Sequence, residues 1–213
     1  MSDLSSRERI LGRIENALKT RRSAQPRRST EGIFAPIPDL LRRFEDECRG
    51  NLTECIVTRD VDAALARVLS SVEPGEIFVE DTAQFRTLLG STGPGKTDHQ
   101  VLWSTEGPPT KSCQATITRA EALIAQTGSL LVSSDCGGRG ASVVAPVHIV
   151  IAHERQLVRD VEAALELAAL NRLADTNSFL GVITGCSRTG DIEKLLVIGA
   201  HGPKRLVVIV EHK

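Results

Sequence analysis

From Asp39 onward the chain alternates short runs of branched apolar residues with stretches whose apolar positions recur every three or four residues. The first pattern marks strands buried on both faces, and the second marks amphipathic helices. The spacing predicts helix over Leu40–Cys48, strand Glu54–Val57, helix Val61–Val72, strand Glu76–Val79 after the Pro74-Gly75 turn, helix Thr82–Leu89 and strand Gln100–Trp103. It continues with helix Arg119–Ala125, strands Ser129–Val132 and Val147–Ala152, helix Glu154–Leu173, strand Leu180–Thr184, helix Asp191–Ile198 and strand Arg205–Glu211. Strands separated by helices predict an α/β fold, a doubly wound and mostly parallel sheet covered on both faces. Ligands of such sheets gather beyond the carboxyl ends of the strands, so the loops leaving strands are the first places to look for chemistry.

The amino-terminal part has a different pattern. Ser5 and Glu8 have capping-box spacing, and Ile10, Leu11, Ile14 and Leu18 recur at helical intervals, which predicts an amphipathic helix over Ser6–Lys19. Thr20–Pro38, with Arg21, Arg22, Arg27, Arg28 and three prolines, reads as a linker. The expected organisation is a basic helical arm and linker over 1–38 and a single α/β domain over 39–213. The arm helix is then free to dock on a partner, on a second copy of the chain in a homo-oligomer, or back on its own domain.

Composition narrows the function classes. A chain of 213 residues, 41% hydrophobic and 25% charged, has enough material for one sizeable core. It has no apolar run of about 18 residues and begins without the basic-then-apolar layout of a secretory signal, so a cytoplasmic protein without a membrane span is expected. Residues 1–31 hold eight basic side chains against four acidic ones while the whole chain is at −1, so the remainder is acidic. A basic arm can serve nucleic acid, but there is no Tyr and the sole Trp is Trp103, so the stacking platforms for bases are missing. The five cysteines, Cys48, Cys55, Cys113, Cys136 and Cys186, include no Cys-x-x-Cys pair, and the histidines show no metal-ligand spacing. No metal, cluster or other cofactor is therefore expected in this chain.

Two glycine motifs invite nucleotide readings and fail on context. Gly90–Thr97 fits the G-x-x-x-x-G-K-[ST] phosphate loop, with Lys96 in place, but that loop must run from a strand into a helix so that the helix's free amides face the phosphates. Here a helix enters and a strand leaves. Gly138-Arg139-Gly140 begins a dinucleotide fingerprint, but Val143 stands where the third small residue belongs.

The loops after two predicted strands are better candidates. Gly185-Cys186-Ser187-Arg188-Thr189-Gly190-Asp191 leaves a strand and enters a predicted helix, an order that would aim free amides, two hydroxyls and the Arg188 guanidinium at a carboxylate or phosphate. The bland alternative is that Ser187 or Thr189 caps the helix. Ser133–Arg139 leaves another strand; if the two strands run parallel, Gly138 and Arg139 join Arg188 around one anion, and Cys136 and Cys186 approach each other. Candidate proton-transfer groups are His148, Asp135, Asp191 and His201, with a core-satisfied His148 and a cap-region His201 as the structural alternatives.

Gly185-Cys-Ser-Arg-Thr-Gly-Asp-Ile-Glu193 followed by Gly199-Ala-His-Gly-Pro203 resembles the carboxyl-terminal signature of the LUD (lactate-utilisation) family, LutC/YkgG branch. Thr127–Leu130 and the Val147–Ala152 strand with His148 resemble two earlier blocks, so the likeness spans about residues 40–213. It implies a fold related to the sugar-phosphate isomerase and coenzyme A transferase group, and a role with iron–sulfur partner proteins in oxidising L-lactate to pyruvate. Cys186 stands where the family pattern has proline, and Gln126 where an acidic residue commonly precedes Thr-Gly, so no general base is carried over there. The rival expectations are a small-molecule enzyme binding a phosphate, carboxylate or acyl-coenzyme A at Gly185–Asp191, an interaction protein working through its basic helix, and, against the reversed element order, a nucleotide binder at Gly90–Thr97.

Overall fold

The computed structural model describes residues 5–19, 35–92, 99–192, 195–198 and 202–212, with backbone only at 18, 91, 92, 189–192 and 195–198. The chain divides into two units, Met1–Pro36 and Ile37–Lys213. In the first, α1 (Ser6–Lys19) is closed by the reciprocal capping box its sequence encodes: the Ser5 amide donates to Glu8 at 2.7 Å and the Glu8 amide to the Ser5 hydroxyl at 3.3 Å.

The second unit is built on six parallel strands, β1 (Thr53–Thr58), β2 (Gly75–Val79), β3 (His99–Trp103), β4 (Cys113–Arg119), β7 (Val147–His153) and β12 (Arg205–Glu211), in the order β1-β12-β7-β4-β2-β3. Alternate residues explain why these strands read as unbroken apolar runs. Ile149, Ile151, Val207 and Ile209 face one side, where α3 (Val61–Leu69) and α4 (Ala83–Thr92) supply Leu65, Leu69, Phe85 and Leu89. Val150, Ala152, Val208 and Val210 face the other, where α2 (Leu40–Gly50) supplies Phe44 and Cys48.

The mostly parallel α/β sheet expected from the sequence is present, and its second face is covered by more than helices. Beside α2, its cover is a second sheet, β8 (Leu157–Val158), β5 (Ala122–Ile124), β6 (Ser129–Ser133) and β9 (Leu180–Thr184) in that order, whose inner side adds Leu123, Leu130 and Val132 to the core. The outer side of this sheet packs Ala122, Ile124 and Leu131 against Ala164 and Ala168 of α5 (Val161–Leu170), and the short α6 (Leu173–Thr176) comes next.

Four sequence expectations are corrected. The predicted helix Arg119–Ala125 is the end of β4 and all of β5; β4 itself escaped notice because Thr116 and Thr118 interrupt its apolar run, although both are buried. The predicted helix Glu154–Leu173 begins only at Val161, after a single 3-10 turn and β8. The predicted helix Asp191–Ile198 is a hairpin, β10 (Arg188–Ile192) antiparallel to β11 (Leu195–Ile198), since Ile192, Leu195, Val197 and Ile198 suit strand pairing as well as helix spacing. Strands β6 and β9, whose parallel run was the condition for their two loops to meet, are antiparallel neighbours, Ser129 opposite Thr184 and Ser133 opposite Leu180.

The turn between β5 and β6 is clamped to α2. Gly128 has φ +60°, and a Cβ there would stand 2.7 Å from the Cys48 amide nitrogen, while the Asn51 side chain donates to the Thr127 carbonyl at 2.8 Å. Gly128→Ala therefore meets both backbone strain and a backbone clash, and we expect it to lower the unfolding free energy by about 2–4 kcal/mol, read as a reduced urea midpoint.

Candidate functional site at the carboxyl edge of the sheet

Chain direction assigns the two candidate loops to opposite ends of the molecule. The Ser187 amide donates to the Pro203 carbonyl at 2.8 Å, and the Lys204 amide donates to the Pro146 carbonyl at 2.8 Å, immediately before β12 and β7 begin. Gly185–Ser187 thus lies at the amino edge of the large sheet. Gly185, at φ +74°, is tucked beneath the Asn51 carbonyl, and a Cβ on Gly202 would touch that of Ser187 at 3.0 Å. These approaches account locally for the small residues of the Gly185–Ser187 and Gly202-Pro203 blocks.

Beyond Ser187 the chain is strand. Arg188 is exposed at the head of β10, Thr189, Gly190 and Asp191 continue that strand, and the helix amino terminus that was to supply free amides is replaced by the hairpin. His201 lies outside the described residues. Arg139 does not converge with Arg188, nor Cys136 with Cys186, because the antiparallel β6–β9 register sends the two loops to opposite ends.

The carboxyl edge holds a different set of residues. β2 continues to β3 on one side, while β4, its other neighbour, leads on through β7 and β12, so the strand order reverses between β2 and β4. A crevice opens at such a reversal. Glu80, directly after β2 and 3% exposed, accepts from the Arg119 amide at 2.8 Å and from Arg119 Nε at 2.6 Å. Arg119 Nη1 also reaches Glu121 at 3.6 Å, and Glu121 accepts from the Ser133 hydroxyl at 2.6 Å and from Cys136 Sγ at 3.5 Å.

Two carboxylates therefore share one guanidinium where water is scarce. Burial raises the Glu80 carboxyl above its ordinary value against the opposing pull of Arg119. Burial also pushes the Cys136 thiol up to about 12, reinforced by Glu121 and Glu80, which keeps it protonated and a poor nucleophile.

Beyond the cluster lies a cleft of about 510 Å³ between Ser104–Pro109 and the Ser134–Gly140 segment. Gly137, at φ +77°, lets this segment settle onto Phe78 and Thr118, where a Cβ would meet side chains at 3.1 and 3.3 Å. The hydroxyls of Ser104, Thr105 and Ser134 are engaged by the Asp81 amide, the Asp81 carboxylate and Asn177, and Glu106 and Asp135 outnumber Arg139 among the charged lining residues. Arg139 donates to the Ser178 carbonyl and lies 5.7 Å from the Phe179 ring centroid, while the Asp135 amide and carboxylate both engage Asn177.

His148 lies beneath this segment on β7 and is 1% exposed. Its Nε2 shares a 2.9 Å hydrogen bond with the Thr118 hydroxyl, while its Nδ1 has no partner in the protein. Burial lowers its pKa from 6.5 to about 4, so the ring is neutral near pH 7, and this hydroxyl–imidazole pair is sealed from the cleft. Among the described residues no group of three or more His, Cys, Asp or Glu is placed to hold a metal ion.

Sequence reasoning missed Glu80, Arg119 and Glu121. Glu80 was readable as the residue after a predicted strand, but its partner was hidden once Arg119 had been assigned to a helix. The phosphate-loop motif has the reversed context its sequence predicts: α4 enters and β3 leaves, and positions 93–98 lie outside the described residues.

Residues 110–210 match the LUD domain. The chain is 35% identical to Lactate utilization protein C of Deinococcus radiodurans over 180 residues, covering 81% of this chain and 79% of that protein. The chain belongs to the LUD domain family. Within this family it is also 28% identical to Lactate utilization protein C of Bacillus subtilis, across 97% of this chain and 96% of the relative. The crystal structure of a DUF162 family protein from Deinococcus radiodurans shares the fold, with a TM-score of 0.58 at 20% identity over 80% of this chain and 95% of that one. The LUD match takes in β4 to β12 almost entirely and so includes both edges.

Two stability measurements check this description. A histidine buried neutral stabilises the fold fully above its unfolded pKa and loses that contribution as the pH falls below it. Stability should therefore drop by up to about 3 kcal/mol between pH 6.5 and pH 4, with a flatter profile in His148→Gln, measured by urea unfolding at several pH values. Arg119→Leu leaves Glu80 buried and unpaired; because Arg119 is itself 40% exposed, the cost should be about 3 kcal/mol, the low end for buried pairs. Adding Glu80→Gln should recover part of that loss.

Proposed function

We propose that this LUD protein acts in lactate utilisation as a cluster-free component of a system that oxidises L-lactate to pyruvate, working with iron–sulfur partner proteins. The observation that carries the reading is the 35% identity to Lactate utilization protein C over most of both chains.

The chemistry fits a division of labour. Converting a 2-hydroxy acid into a 2-oxo acid removes two electrons and two protons. Ligating an iron–sulfur cluster takes thiolates converging on one point, commonly four. Here Cys48 and Cys55 neighbour each other, but Cys113 opens β4, Cys136 sits at the carboxyl edge and Cys186 at the amino edge, and this dispersal supports leaving the electrons to a partner's cluster. All five cysteines are free thiols, which suits the reducing cytoplasm where we place the protein. Among the described residues no helix is long and apolar enough to cross a membrane.

Removing this chain from cells growing on L-lactate should abolish growth on lactate and spare growth on pyruvate, with rescue by the intact chain. Undiminished growth on lactate, or lactate oxidation by the purified chain alone, would overturn the reading.

A further inference from the structure

Two of the five cysteines meet. Cys48 stands in the last turn of α2 and is fully buried, while Cys55 lies on β1 and keeps partial contact with solvent. Side chains alternate along a strand, and Ile56 packs on the face that α3 and α4 cover, so Cys55 and Val57 face α2. There the Cys48 thiol shares a hydrogen bond with that of Cys55, and Cys48 Sγ also lies 3.8 Å from the Gly128 carbonyl. The hydrogen bond to Cys55, together with burial, pushes the Cys48 thiol well above its usual range, so it stays protonated. The other three cysteines lie elsewhere in the fold, Cys113 and Cys136 being directed at the carboxylates of Glu76 and Glu121.

We infer that Cys48 and Cys55 are a reversible redox pair, joined as a disulfide when the chain meets hydrogen peroxide, with Cys55 reacting first and Cys48 resolving it. Exposure sets this order, since the oxidant can reach Cys55 from solvent and cannot reach Cys48. The Cys55 sulfur takes one oxygen from the peroxide, releasing a water and leaving a sulfenic acid. The Cys48 sulfur then displaces that oxygen, the S–S bond forms, and the Cys48 proton leaves with the hydroxyl as a second water. Two thiols thus lose two electrons and one peroxide gains them. The ring that closes contains Asn51, whose carbonyl lies against Gly185 and whose side chain donates to the Thr127 carbonyl at 2.8 Å. Oxidation therefore locks the connection on which both the β5–β6 turn and the start of the Gly185–Ser187 segment rest.

The test is peptide mapping of the full chain after exposure to an equimolar amount of hydrogen peroxide, with the remaining thiols alkylated before digestion. Trypsin cuts after Arg49, between the two cysteines, so the expected product is two peptides joined through Cys48 and Cys55 and separated again by dithiothreitol. Of the five free thiols, two are then consumed and three remain for alkylation. Cys48→Ser should abolish the cross-link and leave on Cys55 a sulfenic acid that dimedone traps, and Cys55→Ser should abolish both products. An unaltered chain that keeps all five thiols, or that joins Cys48 or Cys55 to a different cysteine, would overturn the inference. So would a Cys55 that is carried on to sulfinic acid while Cys48 stays a free thiol.

Discussion

Strands β7 and β12 carry apolar side chains on both faces, and neither face can be left to water. This double burial is the constraint on which the rest of the fold depends. One face is closed by the helices of the crossover connections, α3 and α4. The other would need a similar pair, but the chain supplies one helix, α2, and closes the remainder with the four-stranded sheet. A sheet used as a cover has an outer face of its own, and α5 meets that need. The layering of helices, sheet, sheet and helix thus arises from a single requirement applied twice.

The second sheet also decides where chemistry can reside. Because β6 and β9 run antiparallel, the loop after one strand lies at the carboxyl edge of the large sheet and the loop after the other at its amino edge. Gly185–Ser187 is held against Asn51, Gly202 and Pro203, so its small residues answer to close backbone approach. The carboxyl edge, where the strand order reverses, holds the Glu80–Arg119–Glu121 cluster and the cleft next to it. Sequence likeness and strand topology therefore point to different ends, and each has its own physical cause.

How much of this was legible depends on the signal each segment carries. The strands of the large sheet that are flanked by turns and apolar on both faces, β2, β7 and β12, were readable because their pattern has one interpretation. β4 was not: Thr116 and Thr118 look polar in sequence yet are buried, Thr118 with Gly137 packed against it, a contact no local pattern reports. The hairpin of β10 and β11 shares its apolar spacing with a helix, so only tertiary context separates the two. The candidate cluster was lost with β4, since Arg119 becomes a site residue only once Cys113–Arg119 is seen as a strand ending beside Glu80.

The Glu80–Arg119–Glu121 cluster would be a poor choice if stability were its only purpose. Burying a second carboxylate against one guanidinium leaves a negative charge that burial penalises, and an apolar cluster of equal volume would hold these strands together as well. Its hydrogen bonds are nonetheless complete: Arg119 donates from backbone and side chain to Glu80, and Ser133 and Cys136 donate to Glu121. The surplus negative charge is thus held by hydrogen bonds from the fold itself and not by solvent.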